Sequence, residues 1–247
     1  MLTHLYKILG GMLLEYQFIS FRESERWGKC LHINLFKKKT CSFDCVYCGD
    51  GQTELKTVER VFTGPVNRIF QEISDYIEKN GVPDYIWYSC KGEPTLYVFY
   101  GSLNKKIKAA YPDIKLASWT NCTLMYREDT CEALNLCDVI IADFDGVVDE
   151  DFQKINRPHE KLNIDEIAAQ LLEFRSQYPG EFWLHTVFLD GFNDSKESLT
   201  ALIKYLKKLA PDTFYITLGQ IDEPLSEEFK KNLEKQLEKM PFKYQYD

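Results

Sequence analysis

A chain of 247 residues, 45% of them apolar, holds enough hydrophobic material for a substantial core and is short for two full domains. A net charge of −8 argues against a broad nucleic-acid surface, and eight cysteines over this length are too few for a disulfide scaffold. No run of 18 apolar residues occurs and the N-terminus lacks a secretory pattern, so a cytoplasmic protein without a membrane span is expected, with clustered cysteines acting as ligands.

In chain order, Leu5, Ile8, Leu9, Leu13 and Leu14 predict a helix interrupted at Gly10 and Gly11, read as a cap over residues 1–30. Six β-rich runs follow: Leu31–Leu35, Tyr85–Ser89, Lys115–Trp119, Val139–Ala142, Phe182–Leu189 and Thr213–Leu218. Helical periodicity fills the gaps at Val66–Asn80, Tyr97–Ala110, Arg127–Leu136, Ile164–Tyr178 and Lys196–Leu209, with a last helix at Ser226–Met240. Pro112-Asp113, Pro179-Gly180 and Pro211-Asp212 stop helices ahead of the third, fifth and sixth strands. This alternation predicts an α/β fold of parallel strands in a single domain, with 31–218 as the core and 219–247 as a helix and tail. Six strands are too few for the eight-stranded closed barrel, so a partial (β/α)6 barrel is expected, its site at the C-terminal strand ends.

Directly after the first run stands Thr40-Cys41-Ser42-Phe43-Asp44-Cys45-Val46-Tyr47-Cys48, a C-x3-C-x2-C spacing. Chance would place such a triplet here about 0.008 times, so the spacing calls for a chemical reason. A structural zinc wants four ligands, and no second C-x2-C or H-x3-H completes one. Three thiolates bind three irons of a cubane cluster and leave the fourth iron open to an exogenous ligand. Lys37, Lys38 and Lys39 precede the triplet, as a solvated loop or, alternatively, as electrostatic tuning of the cluster or docking of an acidic electron donor.

The triplet, with Tyr47 before its last cysteine, resembles the hallmark of the radical S-adenosylmethionine (radical SAM) superfamily. That resemblance implies that Cys41, Cys45 and Cys48 hold a 4Fe-4S cluster, that S-adenosylmethionine chelates the open iron, and that Tyr47 lies against or hydrogen-bonds the adenine. Gly92-Glu93-Pro94, after the second strand, resembles the segment that meets the methionine amino group, with Lys91 in place of the first glycine. Thr120-Asn121-Cys122 resembles the Thr-Asn-Gly stretch near the ribose or carboxylate, with Cys122 replacing the glycine. Asp145 and Asn193 also fall where relatives contact the cofactor. The bland alternatives are a turn before a helix for Gly92-Glu93-Pro94 and an Asn turn for Asn121.

Candidates for catalytic groups are Cys90 and Cys122 at strand ends, Arg157 and His159 in Asn156-Arg157-Pro158-His159, and mid-strand His185. Each has a structural alternative as a packing thiol, a capped loop or a core histidine. The resemblance is nearest the branch of tRNA wyosine-forming radical enzymes, but only Cys30 stands where those enzymes carry second-cluster cysteines, and Gly219-Gln220-Ile221-Asp222-Glu223-Pro224 replaces their Arg-Pro-rich segment. The expected function is therefore an oxidoreductase-type radical SAM enzyme acting on a small molecule or a peptide or protein side chain, with electrons from flavodoxin or ferredoxin. A tRNA substrate and a non-catalytic iron-sulfur protein are the alternatives.

Overall fold

The computed structural model describes residues 16–247, so the helix expected over Leu5–Leu14 lies outside the described residues. In chain order the strands are β1 (Ile19–Ser24), β2 (Gly28–Ile33), β3 (Thr40–Cys41), β4 (Leu55–Lys56), β5 (Tyr85–Tyr88), β6 (Lys115–Thr120), β7 (Val139–Asp143), β8 (Glu181–Phe188), β9 (Thr213–Leu218) and β10 (Lys243–Tyr246). The helices are α1 (Val66–Asn80), α2 (Tyr100–Ala110), α3 (Glu128–Leu134), α4 (Asp149–Asn156), α5 (Ile164–Gln177), α6 (Lys196–Leu209) and α7 (Glu227–Leu237), with a 3-10 turn at Pro94–Leu96. All six expected strands are present, and Val66–Asn80, Lys196–Leu209 and Thr213–Leu218 coincide to the residue. The helix expected from Tyr97 starts at Tyr100, because Pro94 nucleates a 3-10 turn that Tyr97 ends in an extended conformation (φ −69°, ψ 122°).

Eight strands form one sheet in the order β1-β2-β5-β6-β7-β8-β9-β10, and β3 and β4 form a small parallel pair beside it. From β2 to β10 every pair is parallel; β1 joins β2 as an antiparallel hairpin. Among the described residues the sheet is open, with β1 and β10 at its edges, larger than the expected six-stranded arc and without closure. Residues 19–30, expected as part of a cap, supply the edge hairpin. Residues 243–246, expected as tail, supply the other edge.

Period-two alternation sorts the side chains onto two faces. Ile86, Leu116, Ile140, Leu184 and Phe214 enter the main core beneath the helices, whose own contribution is spaced at four, as in Ile69, Ile73 and Ile77 of α1. The opposite face gathers Trp87, Ile141, Trp183 and Tyr215, with Trp27 and Trp119 against them, so that all four tryptophans of the chain share it. Trp27, in the β1–β2 turn, packs on Trp87 of β5 at 4.5 Å and on Trp183 of β8 at 4.8 Å between ring centroids. A flat sheet holds strands three steps apart at about 14 Å, so the sheet curls around this indole.

Candidate cofactor site at the cysteine loop

The cysteine loop is fixed at both ends by backbone bonds. Thr40 N donates to the Lys91 carbonyl at 3.0 Å and Glu93 N to the Thr40 carbonyl at 3.0 Å, which pins β3 to the segment after β5. Gly92 sits between them at φ +123°, and a Cβ there would overlap the Thr40 carbonyl. The close approach that this glycine permits is thus of the loop's own backbone. Further along, Asp44 N and Val46 N donate to the carbonyls of Asn156 and Ile155 at the end of α4, both at 2.9 Å, and Phe43 packs edge-on to Phe152 at 5.3 Å.

Held this way, Cys41, Cys45 and Cys48 line one cavity of about 170 Å³ at the C-terminal ends of β5, β6 and β7, together with Tyr47, Cys90, Gly92, Glu93, Thr120 and Asn121. The side-chain amide of Asn121 donates to Cys41 Sγ at 3.5 Å and that of Asn156 to Cys45 Sγ at 3.4 Å. Burial pushes the Cys41 thiol up to about 12, Glu93's charge adding to the effect, and pushes Cys45 well above the usual thiol range. Such thiols ionise only against a compensating positive charge such as bound iron. Among the described residues no three His, Cys, Asp or Glu side chains converge as a single metal ion would require. The thiolates of a cubane cluster each bind a different iron and need no common point, and amide donors aimed at sulfur are a recognised feature of such sites, so the donor set fits a 4Fe-4S cluster.

The remaining expected residues divide into wall and support. Glu93 is 2% exposed; its Oε1 accepts from Thr95 N, Thr95 Oγ1 and Thr120 Oγ1, and its Oε2 from Asn121 N at 2.7 Å. It therefore ties the end of β5 to the end of β6, while burial raises its pKa. Pro94 is buried beneath it as the first residue of the 3-10 turn. Asp145 does not line the cavity: its Oδ2 accepts from Tyr47 Oη at 2.7 Å and from Asn156 at 2.6 Å, and its Oδ1 from Val187 N. Burial, with Asp143's charge second, raises it to about 6. Asn193 stands further back, donating to the carbonyls of Asp145 and Val187.

Of the five candidate catalytic groups, only Cys90 lines the cavity, and burial raises its thiol. Cys122, at φ +65° in the left-handed conformation that suits the glycine it replaces, is 1% exposed within the main core and turned from the cavity. Arg157 is the exposed left-handed cap of α4 (φ 44°), and its carbonyl accepts from Lys56; His159 receives Lys161 N on Nδ1. Neither lines the cavity. His185 stands behind Asp143, with Nδ1 at 2.6 Å from Asp143 Oδ1 and Nε2 at 2.9 Å from Thr217 Oγ1. Desolvation lowers its pKa, but the hydrogen bond and charge of Asp143 outweigh that and the net shift is upward.

Six cavity residues escaped the sequence reading, Phe43, Asp50, Tyr88, Ser89, Trp119 and Asp143, and Trp119 donates its Nε1–H to Asp143 at 2.6 Å. For Asp143 the signal was present: it lies two residues before Asp145 at a strand end, on the face shared by mid-strand His185, its register partner.

No family model matches the chain. A UPF0026 protein of Methanocaldococcus jannaschii is 36% identical over 197 residues, 78% of this chain and 60% of that protein. A protein of Brachyspira hyodysenteriae named GTPase Obg is 34% identical over 189 residues, 76% of this chain but only 28% of that protein. The chain thus spans less than two thirds of both, and it contains no Gly-x4-Gly-Lys-Ser/Thr phosphate loop of its own. Its fold is shared with solved radical SAM enzymes. A radical SAM methyltransferase from Sphaerobacter thermophilus superposes with a TM-score of 0.65 at 14% identity, over 92% of this chain and 68% of that one. Streptococcus suis SuiB bound to precursor peptide SuiA gives 0.62 at 14%, over 87% and 48%. Native anSMEcpe with bound S-adenosylmethionine gives 0.61 at 17%, over 87% and 63%.

Proposed function

We propose that this chain is a radical SAM enzyme whose Cys41, Cys45 and Cys48 hold a 4Fe-4S cluster beside a bound S-adenosylmethionine. The observation that carries this reading is the opening of all three cysteines, with Tyr47, Glu93 and Asn121, onto one cavity at the C-terminal strand ends. When bound, the cluster and S-adenosylmethionine supply a reductive cleavage that yields a 5'-deoxyadenosyl radical able to abstract hydrogen from a substrate. The chain's own residues bind and orient. Asn121 and Asn156 donate to two of the ligating sulfurs, and Asp145 fixes the ring of Tyr47 through its hydroxyl. Glu93 Oε2, which among the described residues accepts only from Asn121 N, keeps acceptor capacity at the wall for an amino group. Trp119 and Phe43 give the cavity apolar walls that exclude water from a reactive intermediate.

The substrate proposed is a small molecule or a peptide or protein side chain; SuiB's complex with a precursor peptide supports the peptide class. Electrons are proposed to come from a separate flavodoxin or ferredoxin. Among the described residues no helix is long and apolar enough to cross a membrane. The net charge of −8 supports a non-nucleic-acid substrate, and tRNA binding that weakens steeply with salt would favour the wyosine-type alternative instead. The reading is tested by reconstituting the chain anaerobically with iron and sulfide, reducing it with dithionite and adding S-adenosylmethionine. Formation of 5'-deoxyadenosine is expected, and its loss in Cys45→Ala. A cluster that forms yet yields none would place the chain among electron-transfer or sensing proteins.

A further inference from the structure

The three consecutive lysines before the cysteine triplet are not equivalent. Lys37 and Lys38 are exposed, and Lys38 pairs with Glu54 at 3.7 Å; Lys39 is 4% exposed and stands in the cavity wall with the three cysteines. Its position is fixed from both ends. The Lys39 carbonyl accepts from Glu54 N and Leu55 N, both at 3.1 Å, and its Nζ reaches across the loop to donate to the Gly51 carbonyl at 2.5 Å. The side chain thus straps together the two ends of the segment that carries Cys41, Cys45 and Cys48.

Among the described residues the Gly51 carbonyl is its one hydrogen-bond partner, and no carboxylate lies within salt-bridge reach. Of the loop's acidic side chains, Asp44 accepts from Thr53 N at 2.7 Å and still feels the Lys39 charge, and Asp50, beside Gly51, lines the same cavity. A buried ammonium served by a single neutral carbonyl is strongly unfavourable unless an anion shares the site. The same cavity is lined by Asp50, Glu93 and Asp143, none within salt-bridge reach of Lys39, and by three cysteines, of which Cys41 feels the Lys39 charge; a cluster the cysteines hold gains one further negative charge each time it accepts an electron.

We propose that Lys39 is the resident counter-charge of the cysteine site, a positioning residue whose ammonium stabilises the reduced cluster and raises its reduction potential. The inference rests on the cluster reading above and adds the residue that makes the site easier to reduce. The step it governs is the entry of one electron from an external low-potential donor, with no bond made or broken.

The test is the midpoint potential of the reconstituted protein, followed by electron paramagnetic resonance during a redox titration, in wild type, Lys39→Arg, Lys39→Gln and Lys39→Met. Glutamine keeps a donor for the Gly51 carbonyl and loses the charge; arginine keeps both. The expected result is a lower midpoint in Lys39→Gln and Lys39→Met, the reduced-to-oxidised ratio at fixed poise falling about tenfold, or about 59 mV for one electron, with Lys39→Arg near wild type. A wild-type midpoint in Lys39→Gln, or an equal fall in Lys39→Arg, overturns the proposal. Should Lys39→Gln take up no cluster while Lys39→Arg takes up the wild-type amount, iron content reports the same need for charge. If neither takes one up and wild type does, shape alone is required and the proposal fails. A wild-type chain that binds no cluster removes the cluster reading itself, and with it this inference.

Discussion

At Gly92 the chain takes a conformation that L side chains rarely adopt, and it does so to let the Thr40 carbonyl pass. Gly92→Ala should therefore act on the cysteine loop before it acts on any ligand. A loss of at least about 1–3 kcal/mol in urea unfolding is expected, together with reduced iron uptake. The tripeptide Gly92-Glu93-Pro94 was legible in the sequence as a strand-end motif, but not its internal work, because the partner backbone lies some fifty residues earlier. Asn121 shows the same pattern: its place at the site was readable, its bond to Cys41 Sγ was not. His185 carries a pH dependence. Its folded pKa is raised above 6.5, so the stability it contributes with Asp143 is fully present below about 6.5 and is lost as the pH rises through the folded value. Unfolding free energy measured from pH 5.5 to 9 should show that decline in wild type, and His185→Gln should flatten it.

At the scale of elements, α4 is the helix that holds the cysteine loop and the one the sequence concealed. It has eight residues, opens with Asp149-Glu150-Asp151, and buries only Phe152 and Ile155 among its apolar residues, too little periodicity to stand out. Its C-terminal carbonyls nevertheless receive Asp44 N and Val46 N, and Phe152 backs Phe43. Phe152→Ala should cost about 3–5 kcal/mol by denaturant unfolding and should lower iron retention as well, since the loop loses the surface on which it rests. The longer helices were legible because capping and spacing agree: Asn163, Ser195 and Ser226 each cap a helix at its first backbone N–H groups. The edge strands were not, since β1 buries only Ile19 and β10 buries none of its four residues fully.

Across the whole molecule, the two faces of the sheet have different tasks, and alternation along each strand assigns them. One face meets the helices; the other collects the tryptophans and carries Asp143 and His185 at the cavity end. Six of the seven parallel strands of the main sheet were accessible from the sequence, whereas β10 and the curl were not, the curl because it depends on Trp27 reaching Trp87 and Trp183 across three strand steps. Trp27→Ala should cost about 2 kcal/mol, in keeping with a half-buried indole, and should weaken the near-ultraviolet circular dichroism of the aromatic face. The cavity, the thiols and the strand ends converge on one expectation, a cluster with an iron open to S-adenosylmethionine. The most direct measurement is the electron paramagnetic resonance spectrum of the reduced, reconstituted protein before and after addition of S-adenosylmethionine. A 4Fe-4S signal whose shape changes on addition is predicted; a signal that ignores S-adenosylmethionine, or no cluster signal at all, would contradict the account.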